Sequence, residues 1–285
     1  MLVPRRNVKL ESMEKMGREM AGKRSEGKVE GSRNLVAIDG RNAIFEALRG
    51  PRHVEKIYVS RNARRTLSLA KVVSAATSKG VPVVEVSREE IESIANTEVH
   101  QGVVALVSPY RYLTLSQLIK EIEGTVNPLV LVLDGIEDPQ NFGSLLRVAD
   151  ATGTCGVVIR KKRSCEITPS VVRASAGACE HVRVARVGSI ADAVSRLKEA
   201  GLFVVGADAG ASTEFTGARL DGPAAIVLGS EGKGLERLVR ERCDLLVSIP
   251  MLGRVESLNV SVAGALLLYE ALRQRGFDIR KGRRR

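Results

Sequence analysis

LVLDGIEDPQNFGSLLRVADATG, residues 131–153, opens as a short apolar run, breaks at Gly135, and resumes with helical spacing after Asp138-Pro139. An aspartate ahead of a proline is a helix start, because the carboxylate accepts free first-turn amides and proline lacks one. The stretch therefore reads as a buried strand, a loop and a capped helix, the repeating unit of an α/β sheet. Two later segments repeat the arrangement, IVLGSEGKGL (226–235) and IPMLGRVESLNVSVAGALLLYE (249–270). Each places glycine, proline or small polar residues just past an apolar run, where open α/β sheets build their sites.

Around these segments the same alternation continues. Strands are predicted at LVLVLD (129–134), 156–159, 182–187, 202–207, 224–229 and 245–250. Helices are predicted over 139–152, 169–177, 189–200 and from about Ser257 to Gln274. Val- and Ile-rich runs of this length indicate a mainly parallel sheet covered on both faces. Upstream, LVAI (35–38), KIYVS (56–60), VPVVEV (81–86) and VVALV (103–107) alternate with helical stretches and predict a small α/β/α domain. The expected organisation is a basic N-terminal arm (1–32), a first domain (33–109), a linker (110–128), a second domain (129–276) and a basic tail (277–285) ending in RKGRRR. The arm has too few bulky apolar residues to offset the entropy of ordering and is expected to be disordered.

Lysine and arginine number 44 against 33 acidic residues, a formal charge of +11. That balance favours a polyanionic partner, and nucleic acid is the commonest. With 3% aromatic residues and no tryptophan, stacking platforms for single strands are not expected. Cys155, Cys165, Cys179 and Cys243 show no CxxC pairing and the histidines are scattered, so neither a metal site nor a disulfide framework is expected. No apolar stretch approaches a membrane span and no secretory leader is recognisable, so the expected location is the cytoplasm.

Taken singly, each segment has a plain structural reading. The first can be a capped helix carrying an exposed arginine, and the second a strand-to-helix turn that fits neither a Walker A nor a GxGxxG loop. In the third, Ser257 or Asn259 can be the N-cap of a core helix. Asn141 and Arg147 lie six residues apart, about 240° around an ideal helix, so they share a face only if Asn141 sits in the entering turn.

In combination and in this order, N-x-G-x-x-x-R (Asn141, Gly143, Arg147), G-x-E-G (Gly229, Glu231, Gly232) and I-P-M with S-L-N-V-S resemble the motifs of the SpoU (TrmH) family of the SPOUT superfamily. Upstream, GRNAIFEAL (40–48), VHQGVVALV (99–107) and AGACEHVRV (176–184) are similar to the subgroup that methylates a guanosine of 23S rRNA. The resemblance implies an α/β fold with an N-terminal L30e-like domain and a C-terminal α/β-knot domain, threaded as a deep trefoil knot. It implies S-adenosyl-L-methionine-dependent methylation of an RNA ribose 2′-OH. It places the donor at Gly229, Ile249 and Leu258, with Leu228, Met251 and Asn259 beside them. Arg147 would stabilise charge on the attacking oxygen. Asn141 and Glu231 would orient Arg147 and the substrate, and Ser257 and Asn259 would complete the pocket. It also implies a homodimer through the knot region.

RNA contacts are expected from Arg41, Arg61, Arg64 and Arg65 in the first domain and from Arg160, Lys161, Lys162 and Arg163 beside the site. Methylation of tRNA or of a 23S adenosine, and a noncatalytic RNA-binding role in ribosome assembly, stand as the alternatives.

Overall fold

The computed structural model describes residues 35–276 apart from 98 and 256; the expected arm and the tail lie outside the described residues. The N-terminal half is a four-stranded sheet of β1 (Val36–Asp39), β2 (Val54–Ser60), β3 (Val83–Val86) and β4 (Val103–Val107), ordered β1-β4-β2-β3. β4 runs antiparallel to both neighbours, and β2 pairs with β3 in parallel. Helices α1 (Arg41–Arg49) and α2 (Leu67–Ser78) bury Ile44, Leu48 and Val72 in the large core. Helix α3 (Arg88–Ile94) closes a smaller cluster of Tyr58, Val86, Ile91 and Val104.

The C-terminal half contains seven parallel strands: β5 (Leu129–Asp134), β6 (Gly156–Arg160), β7 (Val184–Val187), β8 (Phe203–Ala207), β9 (Thr213–Glu214), β10 (Ala224–Gly229) and β11 (Leu245–Ser248). Their order is β7-β6-β5-β10-β8-β11-β9. Every residue of β5 is buried, and its two faces serve two cores. Leu129, Leu131 and Leu133 pack with Phe142, Leu145 and Leu146 of α5 (Pro139–Ala151) and with Leu267 and Leu268 of α9 (Val260–Gln274). Val130 and Val132 pack with Leu118 of α4 (Leu115–Ile122) and with Ile190, Val194 and Leu197 of α7 (Ile190–Glu199). This double burial is why the strand is apolar throughout rather than alternating.

Two differences from the sequence reading have clear causes. The stretch 110–128 holds α4, whose Leu115, Leu118 and Ile122 are buried against the parallel sheet, so it belongs to that core. The helix expected over 169–177 stops earlier, as α6 (Pro169–Ala174). Ala176 and Gly177 have φ of 52° and 89°, which ends the helix and turns the chain into a single 3₁₀ turn at Ala178–Glu180.

That turn is the seam between the halves. Arg52 reaches Glu180 at 2.8 Å with both side chains almost fully buried, Arg173 of α6 meets Asp39 at 2.9 Å, and His181 meets Glu46 at 2.7 Å. A Cβ on Gly177 would lie 2.7 Å from the Glu46 Cβ, so only glycine admits this approach.

Candidate functional site

In the parallel sheet β10 lies beside β5 and the strand order diverges around them, a topological switch where the loops after the strand ends leave a crevice. Three loops meet there, 135–138 after β5, 230–236 after β10 and 249–259 after β11. Asp138 caps α5 by accepting the Asn141 amide at 2.8 Å, with Pro139 in the first turn, as its sequence predicts. Asn141 thus sits inside the first turn of the helix, at the mouth of the crevice.

Its side chain joins the other two loops. Asn259 Nδ2 donates to Asn141 Oδ1 and to Glu231 Oε1, both at 2.8 Å, and Asn141 Nδ2 donates to the same Glu231 oxygen at 3.1 Å. The Val260 amide also donates to it at 3.4 Å. Meanwhile Asn259 Oδ1 caps α9, accepting from the Ser261 amide at 2.9 Å. Asn259 therefore caps the helix with one end of its amide group and joins the other two motif loops with the other. Capping fixes the orientation of this amide, so the donor end is held on the other two motifs.

Glycines shape the loops by packing. A Cβ on Gly229 would lie 2.1 Å from the carbonyl carbon of Gly234, because residues 230–234 fold back over it through paired hydrogen bonds between Ser230 and Gly234. Gly143 admits Ala174 of α6, and Gly264 of α9 admits Leu145 and Leu228. Leu228 is 1% exposed, so its side chain belongs to the core. Ile249 and Leu258 are partly buried, whereas Met251, Ser257 and Asn259 are exposed.

A cavity of about 420 Å³ opens on the Asn141–Glu231 side, lined also by Asp134, Arg160, Arg163 and Lys233. Gly229, Ile249, Leu258 and Met251 are not among its walls. Within it Arg160 donates to Asp134 at 2.9 Å and to both oxygens of Glu236 at 2.7 and 2.8 Å, while Asp134 accepts the Glu236 amide at 2.9 Å. Burial pushes the Asp134 carboxyl up and the guanidinium pulls it back, while the hydrogen bond from Arg160 holds Glu236 below its usual range. Arg160 is thus the latch of the 230–236 loop, and its hydrogen-bonding edge is engaged inside the protein. No sequence signal pointed to this, because Glu236 lies 76 positions away.

Two other expected roles meet different geometry. Arg147 is exposed and makes no hydrogen bond or ion pair among the described residues, so within one chain it does not touch Asn141 or Glu231. With Asn141 inside the helix, the offset of about 240° places the two on different faces of α5. Arg41 bonds Thr66 and Ser68 and donates to the carbonyls of Arg64 and Gln101, which occupies its guanidinium as a tie between loops. Arg61, Arg64, Arg65, Lys161, Lys162 and Arg163 are exposed. Among the described residues no cluster could hold a metal ion, and no helix is long and apolar enough to cross a membrane.

Residues 128–269 match the model of the SpoU rRNA methylase family, and 37–113 match that of the RNA 2′-O ribose methyltransferase substrate-binding domain. The chain is 43% identical over 239 residues to YacO of Bacillus subtilis, named as a TrmH family tRNA/rRNA methyltransferase, covering 84% of this chain and 95% of that one. A Staphylococcus haemolyticus protein with the same family name is 42% identical over 84% and 96% of the two chains. Among solved structures, an RNA 2′-O ribose methyltransferase superposes with a TM-score of 0.72 at 30% identity, over 86% of this chain and 90% of its own. The SpoU methyltransferase AviRb of Streptomyces viridochromogenes, solved with AdoMet, superposes with a TM-score of 0.71 at 25% identity, over 85% and 90%. The chain belongs to the SpoU (TrmH) family of S-adenosylmethionine-dependent RNA 2′-O-ribose methyltransferases.

Proposed function

We propose that this protein transfers a methyl group from S-adenosylmethionine to the ribose 2′-OH of a guanosine in 23S rRNA. The observation that carries the reading is the Asn141–Glu231–Asn259 network, which ties all three motif loops together at the strand ends. The donor is held by the backbone at Leu228 and Gly229 and by Ile249, Met251, Leu258 and Asn259. Their chemistry fits it, since partly buried Ile249 and Leu258 supply apolar contact beside the exposed polar Ser257 and Asn259. When bound, S-adenosylmethionine supplies a sulfonium-borne methyl group that is already electrophilic.

The protein's own task is alignment and charge. Displacement at carbon needs the hydroxyl in line with the methyl group, and a rigid loop cluster provides that placement. Arg147 is too weak an acid to serve as a base, so it acts by stabilising charge on the attacking oxygen, with water or a phosphate taking the proton. It has no partner among the described residues, which leaves the guanidinium available for that role.

The described half from 129 onward is read as the catalytic domain, threaded as a deep trefoil knot, and 33–109 as an L30e-like RNA-binding domain. Arg61, Arg64, Arg65 and the Lys161–Arg163 cluster supply RNA contacts. Homodimerisation through α9 is supported by an exposed apolar stripe of Val262, Leu266 and Tyr269 on one helical face, with Met251, Leu252 and Val255 of the preceding loop also exposed. A cytoplasmic location follows from the substrate.

Mapping 2′-O-methylation in rRNA and tRNA from cells with and without the protein tests the reading. Loss of one 23S guanosine mark is expected. Loss of a tRNA or adenosine mark instead moves the assignment to that substrate, and an unchanged map overturns the enzyme reading.

A further inference from the structure

The two halves share one interior. Ile38, Ala43, Ile44 and Ala47 of the first domain lie in the same continuous apolar cluster as Phe142 and Leu145 of α5, Val172 of α6 and Cys179 of the 3₁₀ turn. Residues 173–181 form the layer between the halves. On one side, Gly177 admits Ala43 and Glu46 of α1, and a Cβ on Gly50 would lie 3.0 Å from the Glu180 Cβ. On the other side α6 rests on α5 at Gly143, where a Cβ would come within 2.4 Å of the Ala174 Cβ and 2.9 Å of the Ser175 amide nitrogen. Gly143 stands between Asn141 and Arg147, so α6 is seated on the stretch of α5 that carries both. Contacts this close transmit small displacements, because neither face has free space to absorb them.

A polar tie crosses the same layer. Asp39 ends β1 with its side chain fully buried, and its Oδ1 accepts from Arg173 Nη1, in the last turn of α6, at 2.9 Å. Its Oδ2 is buried as well and has no hydrogen-bond partner among the described residues. Buried polar atoms are nearly always paired, and a buried charge is costly to keep, so this half-satisfied carboxylate leans on Arg173 for its compensation. The fold retains the group where the first domain meets the helix packed behind α5. The first domain thus holds α6, and α6 holds α5.

We propose that the first domain is part of the methyl-transfer scaffold, with Asp39 and Arg173 as positioning residues that determine where α5 presents Asn141 and Arg147. Neither touches the reacting atoms; each acts through α6. Displacement at carbon depends steeply on alignment, and a misplacement of about 1 Å can lower a rate about 100-fold. The inference rests on the methyltransferase reading above and goes beyond RNA capture, because it makes the first domain govern the rate of transfer in addition to any hold on the substrate.

The test measures methylation by the full-length protein of rRNA and tRNA taken from cells that lack it, with a labelled methyl donor and the RNA concentration varied. Asp39→Asn combined with Arg173→Met removes both charges, so neither is left buried alone and the melting temperature is expected to stay within a few degrees of the parent. The kcat of this variant is expected to fall about tenfold, with the KM for RNA and the dissociation constant of S-adenosylmethionine unchanged within about twofold. Amide exchange over 139–147 is expected to quicken in step. Arg173→Lys keeps a cation opposite Asp39 and is expected to retain about half of the parental kcat. Asp39→Asn alone, nearly isosteric, carries the same comparison if the double variant melts early. A folded variant with parental kcat overturns the proposal, and so does a loss confined to the KM for RNA, which leaves the first domain a capture module. Arg173→Lys failing as fully as the double variant also overturns it, since the ion pair is then not what positions α6. If the parent methylates neither RNA, the underlying reading fails and this proposal with it.

Discussion

Asn259 and Asn141, 118 positions apart, meet through an amide-to-amide hydrogen bond of 2.8 Å, and both converge on one oxygen of Glu231. The carboxylate is the acceptor on which the loop after β10 and the starts of α5 and α9 agree. Glu231→Ala removes that acceptor without touching the buried core, since Glu231 is exposed. A hydrogen bond to a charged group contributes about 1.5–3 kcal/mol, so methyl transfer is expected to fall at least about tenfold while the melting temperature moves by only a few degrees. Single-turnover methylation with matched thermal melts checks this; unchanged turnover in a folded variant removes Glu231 from the site.

Arg147→Ala tests charge stabilisation separately from loop assembly. The side chain is exposed and has no partner among the described residues, so the variant is expected to fold and bind the donor as the parent does. Loss of one aligned donor to a developing oxyanion typically costs about 10²–10³ in rate. Turnover is therefore expected to drop by roughly that factor with the donor dissociation constant unchanged by calorimetry. Near-normal methylation assigns the charge to another group.

The latch under the 230–236 loop makes a pH-dependent prediction. Arg160→Met leaves Asp134, whose side chain is 1% exposed, without its counter-charge, and breaking such a buried pair costs about 3–5 kcal/mol. Burial already raises the native Asp134 pKa above the unfolded value, so the native state binds the proton more tightly and stability falls as pH rises through that range. Removing the guanidinium raises it further and extends the fall to higher pH. The variant also loses the Glu236 contribution, which Arg160 supplies only above the carboxylate range. Both terms make the melting deficit larger at pH 8 than at pH 5. A deficit that is flat or grows toward acid contradicts this account.

Much of this was legible beforehand because it was local. Asp138-Pro139 declared the start of α5, and the apolar run 129–134 declared a strand buried on both faces. What the sequence could not show depends on long-range pairing. Asn259 reads as a cap or as a site residue, and nothing local reveals that one amide end caps α9 while the other bonds Asn141 and Glu231. The helix expected from Ser257 begins at Val260 because Asn259 takes the cap. Arg160 looked like one of four converging surface charges, and only the insertion of β10 beside β5 brings Glu236 to it. At Gly229 a Cβ would meet the folded-back backbone of Gly234, a packing contact that the spacing of the glycines does not reveal.

The apolar stripe on α9 leads to a prediction about how sites are shared. Leu266 and Tyr269 are 40% and 47% exposed, so Leu266→Glu with Tyr269→Glu leaves the inner core intact. Sedimentation is expected to show a dimer for the parent and a monomer for this variant, with methylation lost alongside. If Arg147 of one subunit serves the loop cluster of its partner, co-expressing Arg147→Ala with Glu231→Ala chains regenerates one intact site in each mixed dimer. Random pairing makes half the dimers mixed, so about a quarter of parental activity returns from two nearly inactive chains. A site built within one subunit gives no such recovery, because every Arg147 would face a Glu231 on its own chain and one of the two is always missing.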